Sequence, residues 1–94
     1  MGLRMAGRNF YCYILECADG TYYTGWTTDP LRRLNTHNRG AGARYTRARR
    51  PLRLVYVETQ PGQTEAMRRE QQIKRLNHSR KKALIDAYQG EGKT

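Results

Sequence analysis

Four groups of side chains in this chain have types and spacings that could do chemistry. The first is Glu70, which falls four residues after Ala66, three after Met67 and three before Ile73. At helical spacing it lies within or beside the apolar stripe those residues make. A carboxylate there needs a partner, because an unpaired buried charge is costly. An arginine in a structural ion pair would serve, and so would a metal ion; spacing does not choose between them. The second group is Arg33 and His37, four apart and so on one helix face. Arg33 offers a fork of donors suited to phosphate oxygens. A lone helical histidine is more often a surface or packing residue, and its pairing with Arg33 weakens that reading somewhat. The third group is the tyrosines, seven against a single Phe. Tyr11, Tyr13, Tyr22 and Tyr23 crowd one short region, and strand propensity with core filling must account for at least some of them. The fourth is a run of guanidinium groups, Arg44, Arg47, Arg49, Arg50 and Arg53, with Tyr45 among them. Arginines interleaved with an aromatic suit tracking of a nucleic-acid backbone and base stacking; a merely solvated basic loop is the plainer alternative. Asn38 is a weaker candidate for positioning.

Composition narrows the partners. Eighteen Lys+Arg against eight Asp+Glu give a net charge of +10 over 94 residues. That field attracts polyanions, with DNA or RNA first among them. A chain of this length makes one domain with a modest core. Its apolar fraction, 37%, is low, yet the apolar residues cluster into strand-like and helix-like runs, which argues for a folded chain. Cys12 and Cys17 have opposite parity on one predicted strand, so they should point to opposite faces and not bridge. Two isolated thiols without zinc spacing fit a reducing compartment. With no membrane-length apolar run and no signal-peptide region, a cytoplasmic location is expected.

The elements that must position these groups read as follows. Phe10 to Cys17 and Tyr22 to Thr27 are strands joined by a turn at Ala18-Asp19-Gly20. Asp29 suits a helix N-cap and Pro30 the first helical position. That helix runs to about Arg39 and ends at Gly40, with Leu31, Leu34, Asn35 and Asn38 on its inner stripe. Gly40 to Arg50 is a basic loop. Leu52 to Glu58 alternates as a third strand, Pro61-Gly62 turns, and Thr64 to Leu76 forms a second helix. Ser79 can cap a third helix, Arg80 to Gln89, with Ala83, Leu84, Ala87 and Tyr88 inward. The predicted fold is α+β, a small three-stranded, mainly antiparallel sheet flanked by helices in the order β-β-α-β-α-α. Residues 10–88 form the domain, between a flexible N-terminus (1–9) and a flexible tail (89–94).

These residues together resemble the GIY-YIG nuclease superfamily. Tyr11-Cys12-Tyr13 stands where the family has Gly-Ile-Tyr, and Tyr23-Thr24-Gly25 where it has Tyr-Ile-Gly. Arg33 and His37 match the family's helix arginine and the histidine that follows it one turn later. Glu70, within Arg69-Glu70-Gln71, matches the glutamate of the later helix. The resemblance covers about Phe10 to Tyr88 and is closest to small stand-alone bacterial members; the chain is also similar to Slx-type and UvrC-type nuclease domains. Each tyrosine motif is weak alone, but the ordered set is specific. Tyr11-Cys12 and Thr24 depart from the family pattern while keeping the tyrosine of each motif.

The resemblance implies a metal-dependent endonuclease that hydrolyses phosphodiester bonds of DNA in repair or processing, with catalytic residues Tyr13, Tyr23, Arg33, His37 and Glu70. Glu70 would hold one divalent ion, Mg²⁺ or Mn²⁺. Tyr13 would act as general base, although an ordinary tyrosine titrates near pH 10 and would need positive charge beside it. Tyr23 could orient water or take the base role itself. Arg44, Tyr45, Arg47, Arg49 and Arg50 would bind nucleic acid through its backbone. RNA stays open as a substrate, a targeting protein partner has room to act, and a monomer is expected. The rival readings are a non-catalytic nucleic-acid binding module of the same fold and a basic domain for an acidic protein partner.

The mechanism makes a structural demand. Tyr13 and Tyr23 must share one face of the hairpin, and loop parity decides this. A two-residue loop would put them on opposite faces. A three-residue loop, Ala18-Asp19-Gly20 with Gly20 left-handed, would put Tyr13 opposite Gly25 and Leu15 opposite Tyr23. The three-residue form is therefore expected, with Gly25 leaving room beside Tyr13.

Overall fold

The computed structural model describes residues 9–91; the rest of the termini expected to be flexible, 1–8 and 92–94, lies outside them. Strands β1 (Phe10–Glu16), β2 (Tyr22–Thr27) and β3 (Arg53–Gln60) form one antiparallel sheet in the order β2-β1-β3. Helices α1 (Pro30–Asn38) and α2 (Arg44–Arg47) lie between β2 and β3, and α3 (Gln63–Lys74) and α4 (His78–Glu91) follow. The α+β architecture is the expected one, with α2 as an extra turn inside the stretch read as a loop.

The hairpin has the predicted parity. Gly20 donates to the Cys17 carbonyl, and its φ of 87° places it in the left-handed region. Tyr13 faces Gly25, and Leu15 faces Tyr23. On the other side of β1 the register slips between Ile14 and Leu15, a bulge that leaves Val55 as the extra residue of β3.

The two faces of β1 pack differently. Cys12 and Ile14 join Val55, Tyr56, Ala66, Ile73 and Ile85 in a core under α3 and α4. Each fully buried aliphatic side chain there contributes about 1.5–3 kcal/mol. Tyr13, Leu15 and Cys17 pack with Leu52, Tyr23 and Leu34 on the face that α1 covers. The two cysteines are thus buried, free and on opposite faces, as strand parity requires.

Several helix faces differ from expectation. Leu31 is 66% exposed and Asn35 is exposed, because α1 turns Leu34, His37 and Asn38 toward the sheet instead. On α3, Ala66 and Ile73 are buried while Met67 is exposed. The cap of α4 is Asn77, whose Oδ1 accepts from the Arg80 amide at 2.9 Å, so Ser79 is already inside the helix. Among the described side chains of α4, Ile85 is buried and Leu84 half-buried, while Ala83 and Ala87 are exposed. Tyr88 is also exposed, though its ring meets Tyr56 edge-on at 5.2 Å. The helix runs on through Gly90 to Glu91, where a loose tail was expected.

Candidate active site

Tyr13 leaves the middle of β1, and its hydroxyl reaches the backbone of β2 at Gly25. A Cβ at residue 25 would lie 2.5 Å from that hydroxyl oxygen, so glycine is needed there for close approach. Past Gly25 opens a cleft of about 610 Å³ along β2, an edge strand. Its lining includes Tyr13, Tyr23, Gly25, Arg33 and Glu70. Four of the five expected catalytic side chains therefore converge on one cavity, although Glu70 belongs to the helix on the far face of the sheet.

Local structure explains how each arrives. Asp29 caps α1 through the Arg32 amide, with Pro30 in the first turn. This fixes the start of the helix, so Arg33 faces the cleft and His37, one turn later, faces the sheet. On α3, the Arg69 guanidinium pairs with Glu58 of β3 at 2.9 Å. That anchor sets the rotation of α3 and turns the next residue, Glu70, to the cleft. The Glu70 side chain is 15% exposed, and Lys74 lies 3.4 Å from its Oε2 one turn further on.

His37 is the fifth expected residue, and it sits behind the cleft instead of lining it. It is 2% exposed. Its Nε2 is 3.2 Å from the Tyr13 hydroxyl, and its Nδ1 is 2.8 Å from Thr46 Oγ1. Thr46 in turn donates to the Ala43 carbonyl at 2.9 Å. The Tyr23 ring lies 5.1 Å from the imidazole. Gly42 passes so close to Nδ1 that any Cβ there would collide with it. Sequence reasoning missed Thr46 and Gly42. Nothing in a threonine within a basic loop marks it as a partner, and α2, which carries it, was not foreseen.

Electrostatics sort these groups. Burial pushes the Tyr13 hydroxyl well above the ordinary tyrosine value; the Tyr23 hydroxyl and the Glu70 carboxylate add to the rise, and the Arg33 charge opposes it. Burial, followed by the Arg33 charge, lowers His37, so the imidazole is neutral at pH 7. On the other face, burial raises the Cys12 thiol to about 11. It donates to the Ala66 carbonyl as a structural group.

The basic segment splits into two kinds of arginine. Arg49 pairs with Asp19 at 3.1 Å, donates to the Tyr45 carbonyl and lies 3.8 Å over the Tyr45 ring. Tyr45 itself stacks toward Tyr23 at 6.2 Å. Arg50 donates to the Arg47 and Asn38 carbonyls. Arg49 and Arg50 thus hold α2 against the hairpin turn and α1. Arg44 and Arg47 are exposed, and their guanidinium groups have no hydrogen bond or ion pair among the described residues. Asn38 is also structural: its amide exchanges two hydrogen bonds with the backbone of Leu52, at 3.1 and 2.8 Å. Arg32 and Thr36, not foreseen as site residues, line the cleft beside Arg33.

Among the described residues no three His, Cys, Asp or Glu side chains form a metal cluster. Two carboxylates line the cleft; Asp29 caps α1 through the Arg32 amide, and Glu70 could hold a cation. The cleft around it is open enough for water and phosphate to complete a coordination shell.

Comparison with known proteins decides the family. The GIY-YIG catalytic domain matches residues 9–83. The chain belongs to the GIY-YIG family. Among GIY-YIG relatives, a UPF0213 protein of Streptococcus agalactiae is 52% identical over 81 residues, which are 86% of this chain and 92% of that one. The solution structure of a UPF0213 protein from Bacillus halodurans is 49% identical, with a TM-score of 0.54 over 84% of each chain. An Enterococcus faecalis protein solved by the same method is 36% identical, with a TM-score of 0.58 over 86% of each. The GIY-YIG domain is a nuclease domain with a nucleic-acid substrate, which agrees with the charge of the chain. No helix among the described residues is long and apolar enough to cross a membrane.

Proposed function

We propose that this GIY-YIG protein is a metal-dependent endonuclease that hydrolyses phosphodiester bonds of DNA during repair or processing. The observation that carries the reading is the convergence of Tyr13, Tyr23, Arg33 and Glu70 on one cleft from four different elements and both sides of the sheet. Tyr13 is the general base that takes a proton from water, with His37 hydrogen-bonded behind it. Tyr23 orients the water. Arg33 meets the scissile phosphate and offsets charge as it builds. Glu70 holds one divalent cation, Mg²⁺ with Mn²⁺ as substitute, which when bound supplies Lewis-acid stabilisation of the phosphate.

Arg44 and Arg47 track the backbone. Such contacts carry no base information, so the enzyme selects DNA by structure and not by sequence. The protein acts in the cytoplasm as a monomer, with targeting left to a protein partner.

The test is cleavage of single-stranded, duplex and branched DNA, with RNA counterparts, by purified protein with Mg²⁺, Mn²⁺ or a chelator. The expected outcome is metal-dependent cutting of at least one DNA. Glu70→Ala and Tyr13→Phe should lose it, the latter by about 10²–10⁴-fold, while binding persists. Binding without cutting under every condition would leave the non-catalytic module. Cutting of RNA alone would move the substrate class.

A further inference from the structure

Thr46 makes two short contacts and has one proton to serve them. Its Oγ1 lies 2.9 Å from the Ala43 carbonyl oxygen and 2.8 Å from His37 Nδ1. Two oxygens at 2.9 Å, or an oxygen and a ring nitrogen at 2.8 Å, attract only with a hydrogen between them. The Ala43 carbonyl, which also accepts from the Thr46 and Arg47 amides at 3.2 and 3.1 Å, has no proton to give, and we place the hydroxyl proton toward it. The proton facing Thr46 from His37 must then be the imidazole's own.

A neutral imidazole carries one N–H. With that proton on Nδ1, Nε2 is bare, and the group 3.2 Å from it is the Tyr13 hydroxyl. Tyr13 is therefore the donor of this bond. His37 and Thr46 are 2% exposed or less, so the bond between them is shielded from water, while Tyr13 meets the cleft. Gly42 keeps the space beside Nδ1 clear, since a Cβ there would displace the ring.

We propose that Thr46 is a positioning residue that fixes the Nδ1–H form of His37 and so makes Tyr13 a donor toward His37 and an acceptor toward the cleft. The inference rests on the nuclease reading for its consequence, but not for the tautomer itself. The consequence is a proton relay. As water in the cleft gives its proton to the Tyr13 oxygen, the Tyr13 proton passes to His37 Nε2. The hydroxide forms a bond to phosphorus, and the bond from phosphorus to the leaving oxygen breaks. That oxygen takes a proton from solvent, and His37 later returns its extra proton through Tyr13. Tyr13 is never a free phenolate, which its burial would disfavour. With the opposite tautomer, His37 would donate to Tyr13 and could not receive its proton.

The experiment is long-range ¹H–¹⁵N correlation of the histidine rings in the metal-free ¹⁵N-labelled protein, with His78→Gln used to assign His37. The expected spectrum has a pyrrole-type Nδ1 and a pyridine-type Nε2. In Thr46→Val the Nδ1 preference should be lost, and kcat should fall on the order of 10²-fold with KM little changed. Thr46→Ser should restore both. A protonated Nε2 in the unsubstituted protein would overturn the proposal, even if Thr46→Val does not fold. A Thr46→Val protein with an unchanged tautomer and kcat would also overturn it. Absence of any cleavage by the unsubstituted protein would instead sink the nuclease reading, while the ring spectrum would still decide the role of Thr46.

Discussion

The two faces of β1 handle buried polarity in opposite ways. On the α1 face, Tyr13, His37 and Thr46 are buried polar groups, and each is hydrogen-bonded to the next, ending on a backbone carbonyl. On the α3 and α4 face the core is mainly apolar; the Cys12 thiol and the Tyr56 hydroxyl donate to Ala66 and Glu58, but Thr24, opposite Ile14, buries a hydroxyl with no partner among the described residues. One face gives up apolar packing for an ordered chain of hydrogen bonds that ends in the cleft. The other supplies cohesion, and its stray hydroxyl serves nothing the structure reveals. Function in this small domain is therefore built on one side and stabilised from the other. Gly25 and Glu70 join the two at the edge of β2.

The largest expected effect breaks that seam. Gly25→Ala puts a methyl group into the Tyr13 hydroxyl, and a displacement of this size should cost about 10²-fold in cleavage. The fold should survive, as read by circular dichroism.

A smaller effect sharpens the role of α2, which closes the polar face. Replacing both Arg44 and Arg47 by Ala should weaken DNA binding and lower the slope of log K against log salt by about 1.8 for duplex, or roughly 0.9 per lost phosphate contact. Arg49→Ala should chiefly lower thermal stability, because Arg49 is tied to Asp19 and Tyr45. Titrations at several salt concentrations, together with melting curves, separate the two.

On the apolar face, Thr24→Val removes the orphaned hydroxyl without changing shape. It should stabilise the protein by about 1 kcal/mol, or roughly 4–8 °C in Tm for a domain of this size. Cleavage should not change.

The smallest effect is a slope with pH. Burial and the neighbouring Arg33 lower the His37 pKa in the folded state. Tyr13, Tyr23 and Thr46 are its other close neighbours. The unfolded chain binds that proton near pH 6.5, while the folded chain resists it until lower pH. Stability from a neutral His37 is thus present above about pH 6.5 and lost as pH falls through it. The urea midpoint should drop between pH 8 and pH 5 more steeply than in His37→Gln.

Much of this contrast was legible in the sequence. Strand alternation separated Cys12 from Cys17, and loop parity put Tyr13 beside Gly25. Helical spacing brought Arg33 and Glu70 toward a site. The rest was hidden for physical reasons. The inner stripe of α1 failed at Leu31 because the helix turns polar His37 and Asn38 inward, and apolar periodicity cannot see satisfied polar groups. The basic run looked uniform, yet Arg49 and Arg50 spend their donors on local carbonyls and Asp19. Those partners depend on how α2 folds back on the hairpin. Thr46 and Gly42 gave no signal because their roles exist only once His37 is buried.

The most direct measurement is a cycle of cleavage rates for the unsubstituted protein, Tyr13→Phe, Glu70→Ala and the double variant. If the two side chains, from opposite faces of the sheet, serve one reacting centre, the double variant should be no slower than the worse single. Losses that multiply, or full activity in either single variant, would contradict a shared site.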